Sequence, residues 1–156
     1  MTTPRIHDAG VADLPAVVRL LADDHFGAAR EAPGPVLDRR YADAFAAIVA
    51  IPGWAVMLAE EDGAVVGCLQ FMVLPQLSHT GTASAQVEGV RVAASHRGAG
   101  IGSALMRAAI ARARDAGCGT MQLTSHASRV DARRFYERLG FAVSHTGFKL
   151  NLGGTG

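Results

Sequence analysis

The chain has 156 residues, which is the size of one domain and enough to bury a sizeable core. Its 15 Lys and Arg residues against 14 Asp and Glu leave a formal charge of +1, which argues against nucleic acid or a membrane surface as the partner and favours a small molecule. Cys68 and Cys118 lie in apolar stretches without metal-ligand spacing, so we expect two reduced core cysteines and no metal site.

The spacing of apolar residues predicts eleven secondary-structure elements. In chain order they are a first strand, helices over 11–24 and 37–51, strands over 54–61, 64–74 and 85–93, a helix over 100–116, a strand over 120–125, a helix over 131–139 and the two strands of a hairpin over 141–152. The turn Asp62-Gly63 is typical of a tight hairpin, and Gly117 is typical of a helix end. The segment 23–27 is predicted to be a loop.

The sequence predicts one domain without a targeting segment. No repeat, linker or low-complexity block divides it, so we predict a single domain over 1–152 and a flexible tail over 153–156. The N-terminus lacks the apolar core of a signal peptide, and no apolar run is long enough to span a membrane. We therefore expect a soluble, cytoplasmic protein.

The most informative segment runs from Val90 to Gly102, where a strand leads into a glycine-rich turn that opens a helix. Glycine lets a ligand approach the main chain, and the first turn of a helix offers unpaired N–H groups and a positive dipole end. Arg97 adds a charge, so the turn is suited to a phosphate group. The spacing G-x-G-x-G excludes a dinucleotide fingerprint, and the absence of lysine before Lys149 excludes a P-loop.

This turn resembles the coenzyme A pyrophosphate loop of the GNAT superfamily of N-acetyltransferases. The family pattern [QR]-x-x-G-x-[GA] is matched by Arg97, Gly100 and Gly102. The resemblance implies acetyl-CoA as co-substrate without a metal. It implies that the strand and the turn bind the cofactor through Val90, Arg91, Val92, Arg97, Gly98, Ala99, Gly100, Ile101, Gly102 and Ser103.

The same resemblance implies the fold, because the order of predicted elements is similar to the GNAT order over nearly the whole chain. The expected class is α/β (α+β), with a twisted, mixed central sheet of about seven strands flanked by about four helices. By the resemblance, the fourth and fifth strands part to admit the pantetheine arm. Main-chain N–H groups of 90–92 would then polarise the thioester carbonyl, and Gly89 marks either a strand bulge or a packing position.

A second match gives a candidate acid. The run Asp131–Phe141 resembles the family signature A-x-x-F-Y-x-x-x-G-F, in which the tyrosine is the general acid of many members. With an ordinary pKa near 10, Tyr136 would be protonated at neutral pH and able to donate to the departing thiolate. The alternative is that Tyr136 only joins Phe135 and Phe141 in the core.

The group that takes the amine's proton is left open by the sequence. Glu88 lies where several family members carry a carboxylate base, and the alternative for it is an ion pair with an arginine. His79 and His126 also titrate near neutrality, although a lone histidine is more often structural. Asp23, Asp24 and His25 either line the acceptor pocket or lie at a solvated helix end.

Arg129 stands about seven residues before the tyrosine, where many family members carry asparagine. Its stretch is similar to that of members that act on small amines such as aminoalkylphosphonates or aminoglycosides. Three roles stay open for it: a contact to a cofactor phosphate, a contact to an anionic acceptor, or a place in a solvated loop.

The resemblance implies an N-acetyltransferase that moves an acetyl group to a primary amine in a ternary complex. The amine belongs to a small molecule, a protein N-terminus or a lysine. The alternative function is a catalytically silent, coenzyme A-binding sensor or interaction domain. A homodimer is a further expectation from the family.

Overall fold

The computed structural model describes residues 3–153 and forms one five-stranded sheet with helices on both faces. The strands are Arg5–Asp8 (β1), Ala55–Glu61 (β2), Ala64–Leu74 (β3), Ser84–Val92 (β4) and Thr120–Gln122 (β5), and the sheet follows chain order. Neighbouring strands are antiparallel except β4 and β5, which are parallel. The helices are Leu14–Ala22 (α1), His25–Ala28 (α2), Arg39–Val49 (α3), Ile101–Asp115 (α4) and Val130–Arg138 (α5).

The two faces of the sheet carry separate apolar clusters, because successive strand residues point to opposite faces. On one face α4 buries Ile101 and Leu105 against residues such as Leu69 and Phe71. On the other face α1 and α3 pack on a cluster that includes Leu58. Helices therefore cover both faces, which explains why β2 and β3 are apolar along most of their length rather than alternating.

The predicted turns are confirmed. Asp62 and Gly63 both have positive φ, +50° and +78°, as a two-residue turn between antiparallel strands requires. Gly117 has φ +74° just after α4, which is the left-handed conformation that commonly ends a helix.

The prediction of a loop at 23–27 was wrong in part, because the segment contains the short helix α2. Asp24 caps this helix by accepting a hydrogen bond of 2.6 Å from the Gly27 N–H. Gly27 permits a very close approach to α1, since a Cβ atom there would lie 1.8 Å from the Leu21 carbonyl oxygen. A capping side chain and a glycine contact thus produce a helix that apolar spacing does not reveal.

The predicted final hairpin was also wrong, and the sheet has five strands rather than about seven. Within residues 3–153 no strand or helix follows α5, and the predicted strand over 120–125 is shortened to β5. Phe148, Leu150 and Leu152 keep the alternation of a strand but are all more than four-fifths exposed. Alternation alone does not make a strand, because the segment also needs a sheet edge with which to pair.

The predicted flexible tail, 153–156, lies outside the described residues except for Gly153. In the described part of the chain, none of the helices has the length and apolar character needed to cross a membrane.

Candidate active site

The centre of the candidate site is the place where β4 and β5 part. The two strands pair only from Ser84 to Gln86 on β4, opposite Thr120 to Gln122 on β5. The next six residues of β4 have no β5 partner, so one edge of β4 is open. The predicted parting of the fourth and fifth strands is confirmed.

A bulge in β4 lies at this open edge. Glu88 pairs with Gln70 and Arg91 pairs with Cys68, so two residues of β4 face the single residue Leu69. Gly89 has φ +61°, the left-handed conformation that glycine adopts without strain. Of the two interpretations of Gly89, the bulge is therefore confirmed. Glycine suits this position because its φ is positive.

The open edge exposes main-chain groups of Val90 and Val92. The Ala93 N–H donates to β3 at Val66, and positions that face the partner alternate along an antiparallel strand, so Val92 faces the open edge. The carbonyl oxygens of Val90 and Val92 accept hydrogen bonds from the side chains of Arg91 and Arg97, at 2.9 and 3.2 Å. An extended ligand could add to this edge as a further strand.

The turn after β4 is shaped for an anion. Gly98 and Gly100 have φ +81° and +84°, and a Cβ atom built on either meets no atom within 4 Å. Gly100 is the N-cap of α4, and no side chain caps this helix. Inside residues 3–153 no acceptor pairs with the N–H groups of Ile101, Gly102 or Ser103. A 15-residue helix therefore directs free donors and its positive dipole end at one point.

Gly102 has a different reason to be glycine. A Cβ atom there would lie 3.3 Å from Phe135 and 3.4 Å from Val92. The first turn of α4 thus packs closely on α5 and β4, which brings the turn next to the helix that carries the candidate acid.

Arg97 and Asp23 hold the turn in place. The Arg97 guanidinium donates to the Val92 carbonyl at 3.2 Å and to the Asp23 carbonyl at 2.7 Å, and it is about half exposed. The Asp23 carboxylate accepts from the Ala94 N–H at 2.8 Å. Asp23 therefore fastens the end of α1 to the turn.

Tyr136 lies on α5 beside the open edge and joins the core cluster, with its ring 5.1 Å from that of Phe135. Burial raises the pKa of its hydroxyl above the ordinary value of 10. The charges of Arg91 and Arg129 oppose this shift, and that of Glu88 adds to it. The hydroxyl is therefore protonated at neutral pH, and all three charges act on it.

Glu88 lies just before the bulge and accepts a hydrogen bond from Gln86 Nε2 at 2.8 Å. Gln86 in turn accepts from Gln122 Nε2 at 2.9 Å, across the last paired position of β4 and β5. Among the described residues Glu88 forms no ion pair, in contrast to the arginine partner that the sequence left open. Its carboxylate therefore lies at the parting of the strands with a single amide donor.

Asp24 joins two arginines, one of which lies on β4 beyond its paired part. Its Oδ2 atom lies 2.7 Å from Arg129 Nη2 and 3.0 Å from Arg91 Nε. Burial raises the pKa of Asp24, but the Gly27 N–H, Arg129 and Arg91 together outweigh it and hold that pKa below the ordinary value. Arg129 is therefore part of a partly buried ion pair and not a solvated loop residue.

Aromatic rings hold the same cluster. The Arg129 guanidinium lies 5.0 Å from the centre of the Phe26 ring. The centre of the His126 ring lies 4.9 Å from the centre of the same Phe26 ring. The sequence presents Asp24, Arg129 and His126 as separate candidates and does not predict that they meet. No local signal links Asp24 to Arg129, because 105 positions separate them.

His79 lies apart from this centre, whereas Cys68 lies on β3 opposite Arg91. His79 is in a short turn before β4, at the end of the strand away from the bulge. Cys68 is buried, and burial raises the pKa of its thiol to about 12 although Arg91 opposes the shift. Of the residues that the structure describes, no group of three or more His, Cys, Asp or Glu side chains could hold a metal ion.

The family of the chain is shown by its similarity to known proteins. A model of the acetyltransferase (GNAT) family matches residues 14–141. The chain belongs to this family. The expected family and the α/β fold with a mixed sheet are thereby confirmed, and the two curated relatives are named as N-acetyltransferases. GNAT proteins use acetyl-CoA as co-substrate.

Individual GNAT relatives cover most of the chain. Glucosamine 6-phosphate N-acetyltransferase of Trypanosoma brucei brucei is 33% identical over 97 residues, which are 62% of this chain and 64% of that enzyme. Aminoalkylphosphonate N-acetyltransferase of Salmonella typhimurium is 34% identical over 108 residues, 69% of this chain and 70% of that enzyme. The match to the first relative thus spans just under two thirds of its length.

A solved structure extends the likeness to nearly the whole chain. A protein from Bacillus halodurans C-125, described as a transcriptional regulator, is 40% identical and superposes with a TM-score of 0.92. The match covers 96% of this chain and 99% of that one.

Proposed function

We propose that this GNAT protein transfers the acetyl group of acetyl-CoA to the primary amine of a small molecule, by direct attack in a ternary complex. One observation carries the proposal. The open edge of β4 leads into a turn whose free N–H groups suit a pyrophosphate, with Tyr136 and Glu88 beside that edge. Acetyl-CoA has a part to match each of these features: an extended pantetheine arm for the open edge and a pyrophosphate for the turn.

In the proposed reaction each group has one task. Acetyl-CoA supplies the acetyl thioester, whose carbonyl is polarised by main-chain N–H groups at Val90 and Val92. Glu88 accepts a proton from the acceptor ammonium, directly or through water, and the neutral amine attacks the carbonyl carbon. The carbon–sulfur bond then breaks, and Tyr136 donates its proton to the departing thiolate. The attacking nitrogen gives up its second proton, which restores the Tyr136 hydroxyl directly or through water.

The cysteines support direct attack rather than an acetylated enzyme. Cys68 is buried, and burial raises the pKa of its thiol to about 12, so at pH 7 it is the neutral thiol and not the nucleophilic thiolate. Burial also raises the pKa of Cys118. Neither thiol is suited to hold the acetyl group between two half-reactions.

The acceptor is proposed to be a small amine, with a protein N-terminus or lysine as the other possibility. The support comes from the two relatives, which are named for the acetylation of glucosamine 6-phosphate and of aminoalkylphosphonates. Both compounds are small primary amines, and both carry a phosphorus oxyanion.

Calorimetry with acetyl-CoA and a thiol-release assay over a panel of small amines test the proposal. We expect cofactor binding at submillimolar concentration and thiol release with at least one amine. Absence of cofactor binding would overturn the proposal. Binding without thiol release over a panel that includes peptides would favour the silent sensor, which the description of the 40% identical protein as a transcriptional regulator supports.

Replacing Glu88 by glutamine tests the base. The amide can keep the hydrogen bond from Gln86 but cannot accept a proton, so we expect kcat at pH 7 to fall about a hundredfold or more. The deficit should shrink as the pH approaches the pKa of the acceptor amine, because solution then supplies the neutral amine. Glu137→Gln, which changes an exposed carboxylate on α5, is the matched control and should leave kcat unchanged. Full activity of Glu88→Gln at pH 7 would remove Glu88 from the mechanism.

A further inference from the structure

We infer that the acceptor amine carries a phosphate or phosphonate group, and that Arg91 and Arg129 bind this group. The inference rests on the proposed acetyl transfer and deepens it, because it names the class of acceptor and the residues that select it. The observation behind it is that the two guanidinium groups share one carboxylate, that of Asp24.

The hydrogen bonding of the two arginines is incomplete. A single carboxylate oxygen, Asp24 Oδ2, lies within 3.0 Å of both guanidinium groups. Arg129 donates to it in good geometry, but Arg91 Nε is fully buried and makes no aligned hydrogen bond with any described residue. The remaining Arg91 contact is to the Val90 carbonyl at 2.9 Å. The donors that a ligand can reach belong to Arg129, whose side chain is 29% exposed and whose guanidinium donates only to Asp24 among the described residues, so its other N–H groups can bind a further oxyanion.

The charges in the cluster are also unequal, because two guanidinium groups face one carboxylate. Their side chains are 16% and 29% exposed, so solvent screens this excess positive charge only in part. The other nearby acid, Glu31, is already engaged by Arg30 Nε at 2.7 Å and by the Tyr41 hydroxyl at 2.8 Å. A phosphate or phosphonate would supply both the missing charge and the missing oxygen atoms.

The arginine pair is also placed to orient an acceptor. The charges of both arginines and of Glu88 act on the Tyr136 hydroxyl, so the arginine pair and the candidate base lie near the candidate acid. A phosphonate held by the arginines would direct an amine a few bonds away towards the Glu88 carboxylate. A cation–π contact of 5.0 Å with the Phe26 ring stabilises the position of the Arg129 guanidinium in the protein without acceptor.

Acceptor selectivity tests the inference. We compare (2-aminoethyl)phosphonate and O-phosphoethanolamine, which separate phosphonate from phosphate ester, with the neutral amine propylamine. The kcat/KM for at least one anionic amine should exceed that for propylamine by about tenfold to a hundredfold, as charge-assisted hydrogen bonds imply. Arg129→Gln should remove most of this ratio while the Kd of acetyl-CoA stays the same. Arg133→Gln, an exposed arginine of α5, is the matched control and should keep the ratio.

Two further measurements keep the outcome independent of folding and of turnover. Inorganic phosphate should compete with propylamine in the unaltered protein, and (2-aminoethyl)phosphonate should bind to the complex with coenzyme A in calorimetry. Equal kcat/KM for anionic and neutral amines would overturn the inference and leave the proposed function standing. Phosphonate binding that depends on Arg129 without any acetyl transfer would overturn the proposed function, and with it the role of this compound as acceptor. A weaker acetyl-CoA affinity in Arg129→Gln, with the ratio intact, would assign Arg129 to the cofactor and also overturn the inference.

Discussion

Replacing Tyr136 by phenylalanine is expected to lower kcat about a hundredfold to ten-thousandfold and to leave the Kd of acetyl-CoA unchanged. The substitution removes only the hydroxyl, so the ring contacts with Phe135 and Phe141 and the core packing persist. The proton for the departing thiolate is lost, whereas the turn before α4 and the open edge of β4 are untouched. Steady-state kinetics and calorimetry on the same preparation measure the two effects.

The second tyrosine of the chain provides a matched control. Tyr41 also has a hydroxyl with a raised pKa, but that hydroxyl is bonded to Glu31 and to the Ala32 N–H near α3. Tyr41→Phe should therefore keep kcat within about twofold, allowing only for the small energy of one lost hydrogen bond. An unchanged kcat in Tyr136→Phe would assign Tyr136 to the core alone.

The pH dependence follows from the same group. The acid must be protonated, and burial raises the pKa of Tyr136 above 10, so the active form persists throughout the neutral and mildly alkaline range. The kcat of the unaltered protein should therefore not fall on the alkaline side until the pH exceeds about 10. A decline centred near pH 8 would point to a different acid.

Replacing Gly100 by alanine is expected to raise the Kd of acetyl-CoA about tenfold or more, which corresponds to the loss of one good phosphate contact. Gly100 caps α4 with φ +84°, a conformation that costs an L-residue about 1–2 kcal/mol. The added Cβ would also stand in the open space before the free N–H groups of the first turn. Calorimetry with acetyl-CoA measures the loss.

Gly117 separates backbone strain from ligand binding. It lies at the other end of the same helix with φ +74°, and a Cβ atom there also meets no atom within 4 Å. Gly100→Ala and Gly117→Ala should lower the free energy of unfolding by similar amounts, about 1–2 kcal/mol. Only Gly100→Ala should weaken cofactor binding. Equal affinities for the two variants would show that the turn does not bind acetyl-CoA.

The features that the sequence predicted correctly depend on short segments. The turn at Asp62-Gly63 and the end of α4 at Gly117 each require a backbone conformation that glycine adopts readily. The bulge at Gly89 was one of two interpretations that the sequence left open. The helices and central strands follow from apolar spacing over ten or so residues. Two short motifs, around Gly100 and around Tyr136, are enough to identify the family, and the family match over 14–141 confirms this identification.

The features that the sequence missed depend on partners elsewhere in the chain. Helix α2 has only four residues and exists through the Asp24 cap and the contact of Gly27 with Leu21. The segment 141–152 has strand-like alternation but pairs with no strand of the described sheet, so its prediction as a hairpin failed. Glu88 was left between a base and an ion pair, because a sequence does not show which arginines are occupied by other acids.

By itself, then, the sequence determined the family, the order of the central elements and the two motifs on which the proposed chemistry depends. These are local properties, set by side-chain spacing and by the freedom of glycine. Only the tertiary structure decided that β4 is open beyond Gln86 and that Asp24 gathers Arg91 and Arg129 beside Tyr136. Such contacts join residues up to 105 positions apart, and they arise only when the sheet and the helices on its faces have packed.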